Sequence, residues 1–280
     1  MDFSPPVAYS QGWRRVRLAI WRSVFIAAIA LALSGCGGPR PLEDFQPGER
    51  GRVVRVIDGD ALVLDTGQSV RLVGIEAPGL GREGREDSAY AREAHRVLED
   101  LVLGREVQLH YAGLTRDRYD RALAHVTTVD RLGPAYWINL ELIERGAVRV
   151  RSYPDTARGS DQLYEAEEEA RLAGQGLWAL ADYRVEDARD FDTSITGLVI
   201  LTAILGPREP APFDDTACAR DLLGSAITVT VERPAMDACD LEAGLRVQVR
   251  GWHRDGLLRL NAAQNLRPLA PAAIAARPGD

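Results

Sequence analysis

Three short runs of Val, Leu and Ile open the patterned part of the chain: Arg52–Ile57, Ala61–Leu64 and Val70–Ile75. Asp58-Gly59-Asp60 separates the first two and Asp65-Thr66-Gly67 the second pair. Apolar runs bounded by such turn residues predict a three-stranded meander. Ala91, Ala94, Val97, Leu98, Leu101 and Val102 then recur at helical spacing, predicting a helix over Ser88–Leu103 stopped by Gly104. Val107–Tyr111 and Ala124–Val129 read as strands, and Trp137–Arg145 as a short helix ended by Gly146. Ser160 or Asp161 is placed to cap a last helix through Ala173, closed by Gly174 and anchored by Leu177 and Trp178. Three strands, a helix, two strands and two helices make an α+β unit: a five-stranded OB-fold barrel with about three helices packed on it.

The pattern changes after residue 180. A charged stretch, residues 181–194, reads as a linker. Gly197–Leu205, Ile227–Glu232, Leu245–Trp252 and Leu257–Leu260 then follow as short β-rich runs, with a Pro-rich loop at Pro207–Pro212. Val247, Val249 and Gly251 share one face of the third run, and His253-Arg254-Asp255-Gly256 reads as a hairpin turn. Residues 195–270 are therefore expected to form a second small β-rich domain, with residues 271–280 a loose tail.

The N-terminus has a different character. Arg14, Arg15, Arg17 and Arg22 precede the ten apolar residues Val24–Leu33, too short a run to span a bilayer comfortably. Leu33-Ser34-Gly35-Cys36 follows and resembles the lipobox of bacterial lipoproteins. That resemblance implies cleavage after residue 35, lipidation of Cys36 and a protein tethered to membrane in the cell envelope, on the periplasmic or outer-surface side. A non-lipidated signal peptide or a short membrane anchor is the alternative reading. Residues 36–50 read as a linker, with regular structure starting near Arg52 and a first domain over 51–180.

The 280 residues allow one large domain or two small ones. Net charge is −7, and every basic residue is arginine, since the chain has no lysine. Removal of residues 1–35 leaves 30 arginines against 40 acidic residues. A balance this acidic excludes attraction of nucleic acid by bulk charge, so a polyanion site must be a local arginine cluster. Three cysteines without a CxxC pair exclude a disulfide framework and a structural zinc site. Outside the cytoplasm, Cys218 and Cys239 are most simply a disulfide.

Candidate chemistry sits at the strand ends. Asp58, Asp60 and Glu76 are carboxylates at the ends of neighbouring strands, the hard-oxygen donors that calcium prefers. Taken alone, Asp58-Gly59-Asp60 reads equally well as a solvated hairpin turn. Arg71, in mid-strand, is either a structural ion-pair partner or a phosphate ligand. Arg121, in Asp117-Arg118-Tyr119-Asp120-Arg121, is by itself an ordinary charged loop residue.

In this order, the segments IDGDALVL, RLVGIEAP, DRYDRALA and GLW resemble the staphylococcal-nuclease-like (thermonuclease) family, over roughly residues 50–180. The resemblance implies a calcium ion held by Asp60, Glu76 and the Ala77 carbonyl, with Asp58 behind them. It implies that Arg71 and Arg121 hold the scissile phosphate and that Asp117 and Tyr119 line the substrate groove. The implied reaction is attack of water on a phosphodiester with release of the sugar 5′-oxygen, the implied substrate single-stranded DNA or RNA. Two departures stand out. Glu76 occupies a position where the family more often has aspartate. Gly79 stands where the family pattern has the glutamate that activates water, and Glu83 and Glu86 in the following loop are the carboxylates that could stand in. General-base catalysis contributes about 10²–10⁴-fold, so the expected activity is weak.

Two classes of function remain open on these grounds: a lipid-anchored metal-dependent nuclease, or a barrel that binds nucleic acid or envelope proteins without cutting. Residues 195–270 carry no catalytic constellation and are expected to pack, or to bind substrate or a protein partner.

Overall fold

The computed structural model describes residues 42–81, 84–129 and 135–269. The cleavage site, Cys36 and Glu83 lie outside these residues, as does the 271–280 tail. The chain divides into the units Met1–Glu43 and Asp44–Asp280. Only residues 42 and 43 of the first are described, in a turn.

In the second unit, β1 (Gln46–Asp58), β2 (Ala61–Leu64), β3 (Ser69–Leu72), β5 (Glu106–Tyr111) and β6 (Ala122–Thr128) close a barrel in the order β1-β2-β3-β6-β5. Only the β3–β6 contact is parallel. β1 makes closure possible: its first half pairs with β5 and its second half with β2, and bulges at Pro47/Arg50 and Val53/Arg55 bend it between them. The strand thus begins inside the segment expected to be linker. Alternation sets the interior, as in β5, where Val107, Leu109 and Tyr111 are buried and the residues between them are not.

The third expected strand, Val70–Ile75, divides in two. Gly74 takes φ 76°, in the left-handed region open to glycine, and redirects the chain out of the barrel. The continuation, β4 (Gly74–Glu76), pairs antiparallel with β7 (Arg149–Arg151). The side chain of buried Asn139 spans the divide, donating to the Val73 carbonyl at 2.8 Å and accepting from Val126 N–H at 3.0 Å. Helices α1 (Ala91–Val102), α2 (Ile138–Glu144) and α3 (Ser160–Leu172) complete this half. α1 buries Ala91, Ala94, Leu98 and Val102, and starts three residues later than expected because Tyr90 is left-handed at φ 69°. Neither Ser160 nor Asp161 caps α3; Ser160 opens the helix, and its hydroxyl meets that of Ser152 at 2.9 Å.

The second half repeats the topology. β9 (Gly197–Glu209), β10 (Thr216–Leu222), β11 (Thr228–Glu232), β12 (Arg246–Arg254) and β13 (Leu257–Leu260) follow β8 (Glu186–Asp187), and β14 (Leu266–Pro268) ends the series. β9–β10, β10–β11, β12–β13 and β12–β9 are antiparallel and β11–β13 is parallel. The order β9-β10-β11-β13-β12 therefore returns to β9, with the strand order and single parallel contact of the first barrel. β8 lies in the stretch read as linker and pairs with β9, while residues 207–209 of the expected Pro-rich loop continue β9. β10 has no counterpart in the pattern read from the sequence. Asp255 and Gly256, both at positive φ, turn the β12–β13 hairpin. Leu201, Leu205, Val229, Val231, Val247, Val249, Leu258 and Leu260 fill the core. A disulfide joins Cys218 to Cys239, their Cα atoms 6.1 Å apart.

The halves meet through buried polar contacts. Arg250 on β12 pairs with Glu167 on α3, donating to Oε1 at 3.0 Å, and also donates to the Val150 carbonyl of β7. Arg149 donates to the Leu198 carbonyl at 2.9 Å, and Tyr164 to Asn265.

Candidate functional site

The β1–β2 turn lays Asp60 against the end of the barrel. Gly59 is required there, because a Cβ would fall 2.7 Å from Ala77 Cβ and 2.8 Å from Ala94 Cβ. Asp58 Oδ1 accepts the Asp60 N–H at 3.2 Å, and Asp60 Oδ2 accepts the Ala77 N–H at 2.7 Å. Asp60 is 2% exposed, and its Oδ1 lies 2.7 Å from Arg71 Nη1. That approach is an ion pair without hydrogen-bond alignment, since Oδ1 receives no directed hydrogen bond. Burial raises the Asp60 carboxyl well above the usual range; Arg71 opposes this, and Asp58 and Glu76 add to it.

Arg71 stands on β3 opposite Ala61 and Leu123. Its Nη2 donates to Glu76 Oε2 at 2.8 Å, so one guanidinium bridges Asp60 and Glu76. Burial disfavours the charged guanidinium, and Asp60 and Glu76 more than restore it. A second arginine reaches the same oxygen: Arg151 Nη1 lies 2.9 Å from Glu76 Oε2. Arg151 on β7 is the diagonal neighbour of Glu76 across the β4–β7 pair. The sequence reading passed over it, although Val148-Arg149-Val150-Arg151 has the period-two alternation of a strand.

Arg121 is positioned differently. It precedes Ala122, which faces Val70 on β3, so it enters the strand that runs parallel to β3 two residues before Leu123, the residue opposite Arg71. Its Nε, however, donates to Asp117 Oδ2 at 2.7 Å, while Asp117 Oδ1 accepts the N–H groups of Tyr119 and Arg121. Burial raises the Asp117 carboxyl, and these hydrogen bonds outweigh it to hold the group below its ordinary value. Tyr119 is exposed, with Arg118 and Arg121 over its ring at 4.8 and 5.8 Å. The structure thus brings Asp60, Glu76, Arg71 and Arg151 into direct contact and leaves Arg121, Asp117 and Tyr119 in an adjacent turn. Gly79 and Glu86 are exposed on the loop after Glu76.

Among the described residues no three His, Cys, Asp or Glu side chains group as a metal site. A cation here would be held by two carboxylates, Asp60 and Glu76, with the Ala77 carbonyl and water supplying the remaining oxygens. The donor chemistry fits a hard divalent ion. Asp60 Oδ1 is a buried acceptor without a directed hydrogen bond, and the negative charges of Asp58 and Glu76 act on its carboxylate alongside the positive charge of Arg71.

A closed five-stranded barrel with acidic strand ends and an arginine bridge is a nuclease-like fold. The comparisons agree: residues 69–180 match the family model described as staphylococcal nuclease homologue. The chain is 36% identical over 135 residues to an "Uncharacterized endonuclease" of Escherichia coli O157:H7, covering 47% of this chain and 78% of that protein. It is 28% identical over 159 residues to the thermonuclease of Staphylococcus intermedius, covering 55% of this chain and 92% of that one. The chain belongs to the staphylococcal nuclease homologue family.

Proposed function

We propose that this chain hydrolyses phosphodiester bonds of single-stranded DNA or RNA at the Asp60–Arg71–Glu76 cluster. The observation that carries this reading is the Arg71 guanidinium held between two carboxylates at the barrel end. The endonuclease and thermonuclease names of its relatives support it.

Asp60 and Glu76, with the Ala77 carbonyl, would hold a divalent cation, for which calcium is proposed. When bound, it supplies Lewis-acid polarisation of the phosphoryl oxygens. Arg71, which shares the balancing of Glu76 with Arg151, would present its fork to the phosphate. Arg121 provides the second guanidinium, once phosphate displaces Asp117, and Arg151 is positioned to provide a third. Preorganised guanidinium groups stabilise the negative charge that builds on the phosphoryl oxygens as water attacks phosphorus and the bond to the sugar 5′-oxygen breaks. Gly79 provides no carboxylate to take the proton from water, so the proposed activity is slow. The arginines and apolar run before Leu33-Ser34-Gly35-Cys36, read as a lipoprotein-type leader, support the proposal of placement in the bacterial envelope by a lipid anchor, which Cys36→Ala should release into the soluble fraction.

Calcium titration of thermal stability tests the cation site. Preferential binding to the folded state raises Tm with ligand concentration. Asp60→Ala should abolish that rise; an unchanged rise places the cation elsewhere. Gly79 favours one second reading, a barrel that binds nucleic acid without cutting it.

A further inference from the structure

β7 and the outer face of β12 enclose a cleft of about 530 Å³, within the range of ligand sites. Its walls carry Arg151, Tyr153, Trp252, Arg259 and Asn261. Arg151 joins it to the carboxylate cluster, because the guanidinium that touches Glu76 also lies 5.1 Å from the Tyr153 ring and 5.2 Å from the Trp252 ring. The two aromatic residues remain 38% and 43% exposed. Large, partly exposed aromatic faces beside guanidinium groups are the chemistry that binds unpaired nucleobases.

The cleft is held open by the polar contacts between the halves. Arg250 precedes Trp252 by two residues, on the same face of β12, and its guanidinium is bound to Glu167 and to the Val150 carbonyl. Val150 is the residue before Arg151. The Trp252 wall and the Arg151 wall are therefore fixed to each other through one buried ion pair, and a ligand entering between them does not have to order them.

Charge decides what kind of grip the cleft offers. Glu232 and Asp155 also line it, and Arg259 is engaged by Glu232 at 2.9 Å and Asp215 at 2.5 Å. Phosphate attraction is thus largely offset, leaving stacking and the Arg151 link as the binding elements. A duplex keeps its bases stacked inside; a single strand can present one to Trp252.

We propose that this cleft is a second nucleotide-binding site, which takes an unpaired base flanking the cleaved phosphate and stacks it on Trp252. The proposal rests on the nuclease reading above and extends its substrate contact from the family barrel onto the second one. Fluorescence anisotropy of labelled single-stranded oligonucleotides of two and eight nucleotides, on the full chain in chelator to prevent cleavage, tests it. The expected result is tighter binding of the longer strand, with that gain lost in Trp252→Ala, a fall of about 10-fold or more for one base–aromatic stack. Trp252→Phe, which keeps an aromatic face, should restore most of it. The dependence on salt should be shallow. Equal length-dependence in the wild type and Trp252→Ala overturns the second site while leaving the nuclease reading intact. Absence of binding by either strand length, in a chain that also fails to cleave with calcium, overturns both.

Discussion

Arg250 and Glu167 form a buried ion pair that joins the second barrel to the last helix of the first half, and Glu167 also accepts the backbone N–H of Val150. β7, on which Val150 lies, pairs with the strand that carries Glu76. The second barrel is thereby tied to the backbone that positions the candidate site.

Removal of one partner of a buried pair leaves an uncompensated charge, at a cost of about 3–5 kcal/mol. Arg250→Met should therefore lower the free energy of unfolding in urea by about that amount. Arg250→Met combined with Glu167→Met should recover part of the loss, since no charge is then buried. A loss below about 1 kcal/mol in the single variant would show that the pair does not join the halves.

Gly79→Glu should accelerate cleavage by as much as about 10²–10⁴-fold, the usual contribution of a general base. The backbone accepts the change. Gly79 is not among the glycines at positive φ, and a Cβ there meets only Ser88 Oγ, at 3.8 Å. Initial rates for wild type, Gly79→Glu, Glu83→Ala and Glu86→Ala separate the possibilities. A large drop in one alanine variant identifies a carboxylate that already serves, and the gain from Gly79→Glu shrinks accordingly.

The first barrel was legible because its signals are local. Asp-Gly turns, apolar runs and glycine stops mark most of its elements, and the acidic and arginine positions follow from family motifs placed on them. β7 was missed because its run is short: Val148 and Val150 alternate with Arg149 and Arg151, but the strand itself has three residues and a single apolar one. β10 (TACARDL) was missed because Arg220, buried within it, breaks the apolar run; its guanidinium is satisfied by the Gly206, Cys239 and Leu241 carbonyls, which lie far off in sequence. Arg151 was missed for a related reason. Its pairing with Glu76 depends on a strand that forms only when Gly74 turns the chain out of the barrel. Arg121 had the right address in the turn, but its engagement by Asp117 is a property of that turn's hydrogen bonds and not of the motif.

His125 should make the fold sensitive to acid. Its Nδ1 accepts the Trp137 indole N–H at 3.2 Å, so the neutral ring carries its proton on Nε2, which faces the Arg158 backbone without an aligned hydrogen bond. Burial lowers its pKa to about 3, with the Arg158 backbone opposing and His110 adding a smaller effect. The unfolded chain binds a proton near pH 6.5 and the folded chain does not. Stability from this residue is thus complete above about pH 6.5 and declines by up to about 1.4 kcal/mol per pH unit until about pH 3. Urea unfolding at pH 7 and pH 5 should show a smaller difference in His125→Asn than in the wild type; equal differences would contradict a buried neutral imidazole.

The central claim is that Arg71, Asp60 and Glu76 form a cation-supported phosphodiesterase site. The direct measurement is the initial rate of single-stranded DNA cleavage by the chain from Cys36 onward, in calcium and in chelator, for wild type and Arg71→Ala. The account predicts slow cleavage in calcium, its loss in chelator, and a fall of about 10²–10³-fold in Arg71→Ala, the effect of removing one preorganised charge-stabilising donor. Folded wild-type protein that leaves the strand intact in calcium, or an Arg71→Ala variant that cuts as fast as wild type, would contradict it.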